Sequence, residues 1–267
     1  MRVSNIVFTA LAATTLTLGA CSKAEQELHF EADIPHAQLS ENVVPQGYRL
    51  DLRIDPQADS MSGMSMIHVD IKKPTKRIWL HGKNMTVSDV KLMSGDKFYK
   101  GVFTEIDPAE APSGVARIDF ETVVPSGEAS IVMMFETPYN LSLNSAYKVE
   151  RGEDAYIVTQ MEPIGAREAF PSFDEPKFKV PFNVSISSPS ENVVYFNTPE
   201  TSQTTDDEGW TRYDYEMTRP LPTYLIAFGA GPWDVVDYGD IPPNDIRKRP
   251  LRLRGLAAKG SGPRLDY

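Results

Sequence analysis

The sequence predicts an all-β fold, an antiparallel β-sandwich or saddle, and three observations predict it. From Val43 to Phe228 apolar and polar residues alternate with a period of two, the signature of half-buried strands. The alternating runs are short, and Gly, Pro, Ser and Asp punctuate them at regular intervals, as turns require. No long amphipathic helix and no internal repeat interrupts the series. At 267 residues, 41% hydrophobic and 24% charged, the chain can bury a sizeable core as one large domain or two small ones. Its net charge of -10 excludes nucleic acid as a ready partner, since the longest basic run is Arg247-Lys248-Arg249.

In chain order, Met1 to Ala20 reads as a targeting segment. Arg2 gives it a positive start, and Ile6 to Gly19 is apolar but too short to span a bilayer. Leu18-Gly19-Ala20-Cys21 resembles the lipobox of bacterial lipoproteins, which implies that Cys21 is the acylated first residue of the mature protein. Cys21 is also the only cysteine, so no disulfide forms within the chain, and a lone exported thiol would be a reactive liability. Acyl chains anchor through about 0.8 kcal/mol per buried methylene. Ser22 after the cysteine, by the sorting pattern of such lipoproteins, points to the periplasmic face of the outer membrane in a bacterial cell envelope. The alternative is an ordinary secretory signal with an incidental cysteine. Residues 21–42 are polar and read as a flexible tether. His29 and His36 lie in it, but no further ligand pattern completes a metal site.

A β domain is predicted over 43–257. Tyr48, Leu50, Leu52 and Ile54 alternate with charged residues; Ile67, Val69 and Ile71 repeat the rhythm until Pro74, and Ile78 and Leu80 resume it. Val87 to Leu92, Val115 to Phe120 and Ile131 to Phe135 follow, then Phe182 to Ile186, Tyr213 to Met217 and Tyr224 to Phe228, with an acidic hairpin tip at Thr204 to Gly209. Leu251 to Arg254 is a last candidate strand, and 258–267 reads as a linker. Met61, Met64, Met66, Met133 and Met134 invite a soft-metal reading, but strand-spaced methionine predicts packing. His68 and His81 read as core or rim histidines.

One stretch departs from this composition. Thr159 to Pro176 brings Pro163, Pro171 and Pro176 together with Phe170, Phe173 and the carboxylates of Glu162, Asp174 and Glu175. The prolines forbid a continuous helix or a central strand and predict an ordered, buried loop. Glu162 leaves an apolar run, Ala155 to Val158, and stands at a strand end where a site could use it. On the residues alone it could equally brace Arg167 or cap a turn. Asp174 and Glu175 look like an acid/base pair, but adjacent residues rarely face one substrate, and Pro-flanked acids fix turns. Ser172 has no neighbour that would activate it as a nucleophile.

Thr159-Gln160-Met161-Glu162-Pro163, Ala166-Arg167 and Phe170-Pro171-Ser172-Phe173-Asp174-Glu175-Pro176 resemble the signature of the amino-terminal domain of zinc aminopeptidases of the aminopeptidase N family. Pro45 to Leu52, Ile78-Trp79-Leu80-His81 and Pro222 to Phe228 extend the resemblance over nearly the whole mature chain, with Ser172 where many relatives have cysteine. The resemblance implies that Glu162, with Gln160 nearby, binds the free α-ammonium of a peptide amino terminus. It places Asp174 and Glu175 in a structural motif, with Arg167 as ion-pair partner.

It also implies zinc in the complete family enzyme, but none bound by this chain. No histidine opens an H-E-x-x-H pair, since Phe30, Ala37, Val69 and Gly82 follow the four histidines, and the Gly-x-Met-Glu-Asn motif is missing. The chain therefore reads as the substrate-anchoring β domain of a membrane-anchored aminopeptidase, inactive alone and partnered by a catalytic portion beyond Tyr267. In that arrangement Phe170, Phe173 and Phe178 should form an exposed apolar docking patch. The competing reading is a noncatalytic binding or interaction lipoprotein on the same sandwich; a carbohydrate- or matrix-binding β domain rests on fold analogy alone.

Overall fold

A computed structural model describes residues 33–36 and 38–265. Met1 to Ala20, Cys21 and His29 lie outside the described residues. Among the described residues regular structure is β-strand, with three short 3-10 helices, and no helix is long and apolar enough to cross a membrane.

The strands are β1 (Val43–Arg53), β2 (Ser60–Ile71), β3 (Thr75–His81), β4 (Thr86–Ser94), β5 (Lys97–Glu105), β6 (Val115–Val124), β7 (Gly127–Pro138), β8 (Ser145–Arg151), β9 (Asp154–Gln160), β10 (Phe182–Pro189), β11 (Val193–Phe196), β12 (Glu200–Thr205), β13 (Trp210–Tyr215), β14 (Phe228–Gly231), β15 (Trp233–Ile241) and β16 (Leu251–Ala258). A ten-stranded sheet runs β12-β13-β10-β1-β2-β7-β4-β5-β6-β3, a four-stranded sheet runs β11-β14-β9-β8, and β15 and β16 form a hairpin. Pairing is antiparallel except between β1 and β10, which lie parallel with Leu50 opposite Val184.

Alternation decides which face is buried. Tyr48, Leu50, Leu52 and Ile54 of β1 and the turn after it are buried, as are Ile67, opposite Tyr48, with Val69 and Ile71 further along β2, and Ile131, Met133 and Phe135 on β7. Burial of side chains of this size contributes about 1.5–3 kcal/mol each, and one cluster joins them to the loop that follows β9. Tyr48 stacks on Phe182 with ring centroids 4.6 Å apart, which ties β1 to β10.

Three expectations need correction, and two segments show local order. Phe170, Phe173 and Phe178 are 0%, 1% and 7% exposed, so they form no surface patch; the loop folds them into the core, with Phe173 edge-on to Phe178 at 5.8 Å. Tyr224 to Phe228 is not a strand. Pro222 opens a 3-10 helix at Thr223–Leu225, and β14 starts only at Phe228. The methionines divide: Met61 and Met133 are core, whereas Met64 lies opposite Met134 on the outer face, and Met134 is exposed. Within the segment read as a tether, Leu39 is buried and Asn42 bonds to Lys73 through both its Nδ2 and its Oδ1. Finally, the segment after β16 turns back on itself: Gly262–Leu265 is a 3-10 helix, and the Tyr238 hydroxyl donates to the Leu265 carbonyl.

Candidate functional site

β9 delivers the site. Its last residue, Gln160, pairs in register with Ser145, the first of β8. Ser145 is buried at a positive φ of 60°, a conformation that costs a serine about 1–2 kcal/mol. Met161 then plunges into the core, and Glu162, Pro163 and Ile164 arch out into solvent across a cis Glu162–Pro163 bond. The Gly165 amide closes the arch by donating to the Met161 carbonyl at 2.6 Å. The Glu162 and Gln160 side chains are both exposed, and neither has a hydrogen-bond partner among the described residues.

Beneath the arch the loop is largely buried and its charged side chains are paired. The 3-10 helix Gly165–Glu168 presents Arg167, whose Nε donates to Asp174 Oδ2 at 2.8 Å and whose second guanidinium nitrogen donates to the Asp174 carbonyl at 2.6 Å. The remaining guanidinium nitrogen donates to the Ser113 carbonyl, and the Thr223 hydroxyl donates to Asp174 Oδ1. Arg167 is thus spoken for by Asp174, the partner the resemblance implied, and Glu162 does not brace it. Glu168 is held by Lys83 at 2.7 Å and by Asn140 at 3.1 Å. Glu175 accepts the Leu39 amide at 2.5 Å and lies 3.1 Å from Lys177.

Backbone contacts complete the brace. Ser172 and His81 exchange both amide-carbonyl bonds, at 2.8 and 3.0 Å. The Asp174 amide donates to His81 Nδ1 at 3.1 Å. Burial, with the Arg167 charge beside it, pulls His81 down to about 3, so the ring stays neutral and serves as a fixed acceptor. The Phe173 amide donates to the Tyr48 hydroxyl, whose phenol is pushed up by burial. Ser172 is completely buried and its hydroxyl has no partner among the described residues, which leaves it out of reach of any substrate.

A cleft of about 380 Å³ opens beside the arch, lined among others by Leu39, His81, Ile164, Arg167, Glu175 and Lys177. Sequence reasoning identified the arch and the loop but missed the clasp of Leu39 and Lys177 on Glu175, and the roles of Thr223, Ser113 and Tyr48, since these meet the loop only through the tertiary fold.

The histidines among the described residues do not gather as zinc ligands. His81 is buried with Nδ1 occupied, His68 is exposed and bonded to the Ser130 hydroxyl at 2.9 Å, and His36 stands exposed. Among the described residues no three His, Cys, Asp or Glu side chains gather as a metal site.

The family profile of the peptidase M1 N-terminal domain matches residues 44–225. The chain belongs to that family. Relatives of this M1 domain include an aminopeptidase N of Acetobacter pasteurianus, 30% identical over 236 residues, which cover 86% of this chain and 63% of the relative. A glutamyl aminopeptidase of Homo sapiens is 30% identical over 208 residues, covering 74% of this chain and 22% of the relative. An aminopeptidase M1-A of Oryza sativa subsp. japonica is 31% identical over 201 residues, covering 71% and 22%. The chain thus spans less than two thirds of the length of each of these relatives. The match covers β1 through the 3-10 helix at Thr223–Leu225, and so contains the whole arch and its brace.

Proposed function

We propose that this M1 domain is the substrate-anchoring part of a zinc aminopeptidase, and that Glu162, with Gln160 beside it, receives the free α-ammonium of a peptide. One observation carries the reading: every other carboxylate of the loop, Glu168, Asp174 and Glu175, is engaged, while Glu162 alone stands exposed and without a partner among the described residues. A carboxylate on a rigid support can accept one ammonium and fix cleavage at one residue from the terminus. The support here is rigid, because buried Met161 and the Arg167–Asp174 pair flank the arch on both sides. Zinc, by the same reading, is held by residues outside those described.

The test uses the full-length protein in which this domain occurs. In that protein Glu162→Gln should lower kcat/KM for leucine p-nitroanilide by about ten- to a hundredfold, the worth of one hydrogen bond to a charged group. Zinc content should not change. An unaltered kcat/KM at equal metal content would remove Glu162 from the site.

We further propose that Cys21 carries the lipid that holds the domain at the periplasmic face of the outer membrane. The lipobox-like residues and the lone cysteine support this. Radiolabelled palmitate should enter the wild-type chain and not Cys21→Ser; labelling of both would remove the anchor.

A further inference from the structure

β4 and β5 hydrogen-bond to each other only between Lys91–Ser94 and Lys97–Lys100. Beyond Lys100 they part. β4 follows β7 through Thr86 to Ser88, after a register shift between Ser88 and Lys91 where Asp89 takes a positive φ of 51°. β5 follows β6 from Gly101 to Glu105. Bulges bend the strand that carries them, and here, past Val90 and Gly101, which still lie against each other, the two facing strand edges are not paired with each other. At the wide end the Asn84 amide donates to the Glu105 carboxylate at 3.0 and 3.1 Å.

The gap is a groove of about 560 Å³. Val87, Asp89, Val90, Gly101 and Phe103 line it, and Phe98 and Val102 stand at its rim, 71% and 61% exposed. Lys91 and Lys100 oppose each other in register at the narrow end. Like charges directly opposite destabilise a sheet. Lys91 is relieved by Asp89 at 2.9 Å, whereas Lys100 has no carboxylate partner among the described residues.

We propose that this groove binds an extended acidic peptide as an added strand, with apolar side chains against Phe98 and Val102 and a carboxylate at Lys100. An acyl chain would match the apolar lining but leave the open edges without partners; a peptide backbone supplies the N–H and C=O groups that strand edges need. The chain's net charge of -10 repels acidic peptides elsewhere, so Lys100 supplies local selection. No residue of the Glu162 arch takes part, and the surface stands independently of the peptidase reading.

The test uses the full chain bearing Cys21→Ser, labelled with nitrogen-15, and an acetylated, amidated heptapeptide of alternating valine and threonine with glutamate at one end. Amide shifts and slowed hydrogen exchange should centre on Asp89, Val90, Val102 and Phe103. Lys100→Glu, an exposed change that leaves the far-UV spectrum intact, should weaken binding about tenfold, the loss expected for one charge-assisted contact. Lysine-ended peptide should bind the wild type more weakly than glutamate-ended peptide. Absence of shifts at millimolar peptide would overturn the proposal, as would equal binding of the two peptides. Binding of phosphatidylglycerol vesicles through Phe98 and Val102 without peptide binding would overturn it in favour of a lipid surface.

Discussion

Arg167 and Asp174, seven residues apart on the two limbs of the loop beneath Glu162, close a buried ion pair at 2.8 Å. Removing one member of such a pair strands a charge in the core and costs about 3–5 kcal/mol. Arg167→Met should therefore lower the urea unfolding free energy of this chain by that amount. Glu162→Gln, an exposed change, should stay within about 0.5 kcal/mol. Equal losses in the two variants would mean that Glu162 belongs to the brace and not to the open surface.

His81 should set part of the acid limb of stability. Its ordinary pKa near 6.5 applies to the unfolded chain, and burial beside Arg167 lowers it to about 3 in the fold. Between those values the unfolded chain takes up a proton that the folded chain refuses. Stability contributed by the neutral ring is therefore complete above pH 6.5 and falls as pH drops toward 3, by about 1.4 kcal/mol per pH unit. His81→Asn keeps an acceptor for the Asp174 amide and cannot titrate. Urea unfolding at several pH values between 7 and 4 should show a shallower slope for the variant; parallel slopes would show that His81 protonates freely in the fold.

Much of this structure was legible from alternation, because a residue's parity within a strand sets the face it occupies. The same rule would have divided the methionines: Met64 and Met66 share parity with exposed His68, not with buried Ile67 and Val69. The arch at Glu162 was legible from the prolines and from the end of an apolar run. Its brace was not, since Tyr48, His81, Ser113 and Thr223 reach the loop from distant parts of the chain. The prolines pointed to a buried loop, but that Phe170 packs in the domain's own core and not at a docking face was not legible, because an aromatic beside a proline fits an interface as well as a core.

Adjacent methionines test the parity rule directly. Met133 is fully buried and Met134 is 42% exposed. Met133→Ala should destabilise by about 2–5 kcal/mol through lost burial and the cavity left behind. Met134→Gln should change stability by no more than about 0.5 kcal/mol. Comparable losses from both in thermal unfolding would place the outer face of β7 against something the sheet itself does not show.

Glu175 should hold the amino-terminal approach to the domain. Its Oε1 accepts the Leu39 amide, its Oε2 faces Lys177, and Lys177 in turn donates to the Leu39 carbonyl at 3.0 Å. This clasp joins residues 136 positions apart and brings the segment before β1 down against the cleft beside the arch. Glu175→Gln keeps a neutral acceptor and loses the ion pair; Glu175→Ala leaves the buried amide without a partner, at about 1–3 kcal/mol. Hydrogen exchange at Leu39 should therefore quicken in the order wild type, Glu175→Gln, Glu175→Ala. Unchanged exchange in Glu175→Ala would mean that burial of the Leu39 side chain is what holds the segment, and that Glu175 serves only Lys177.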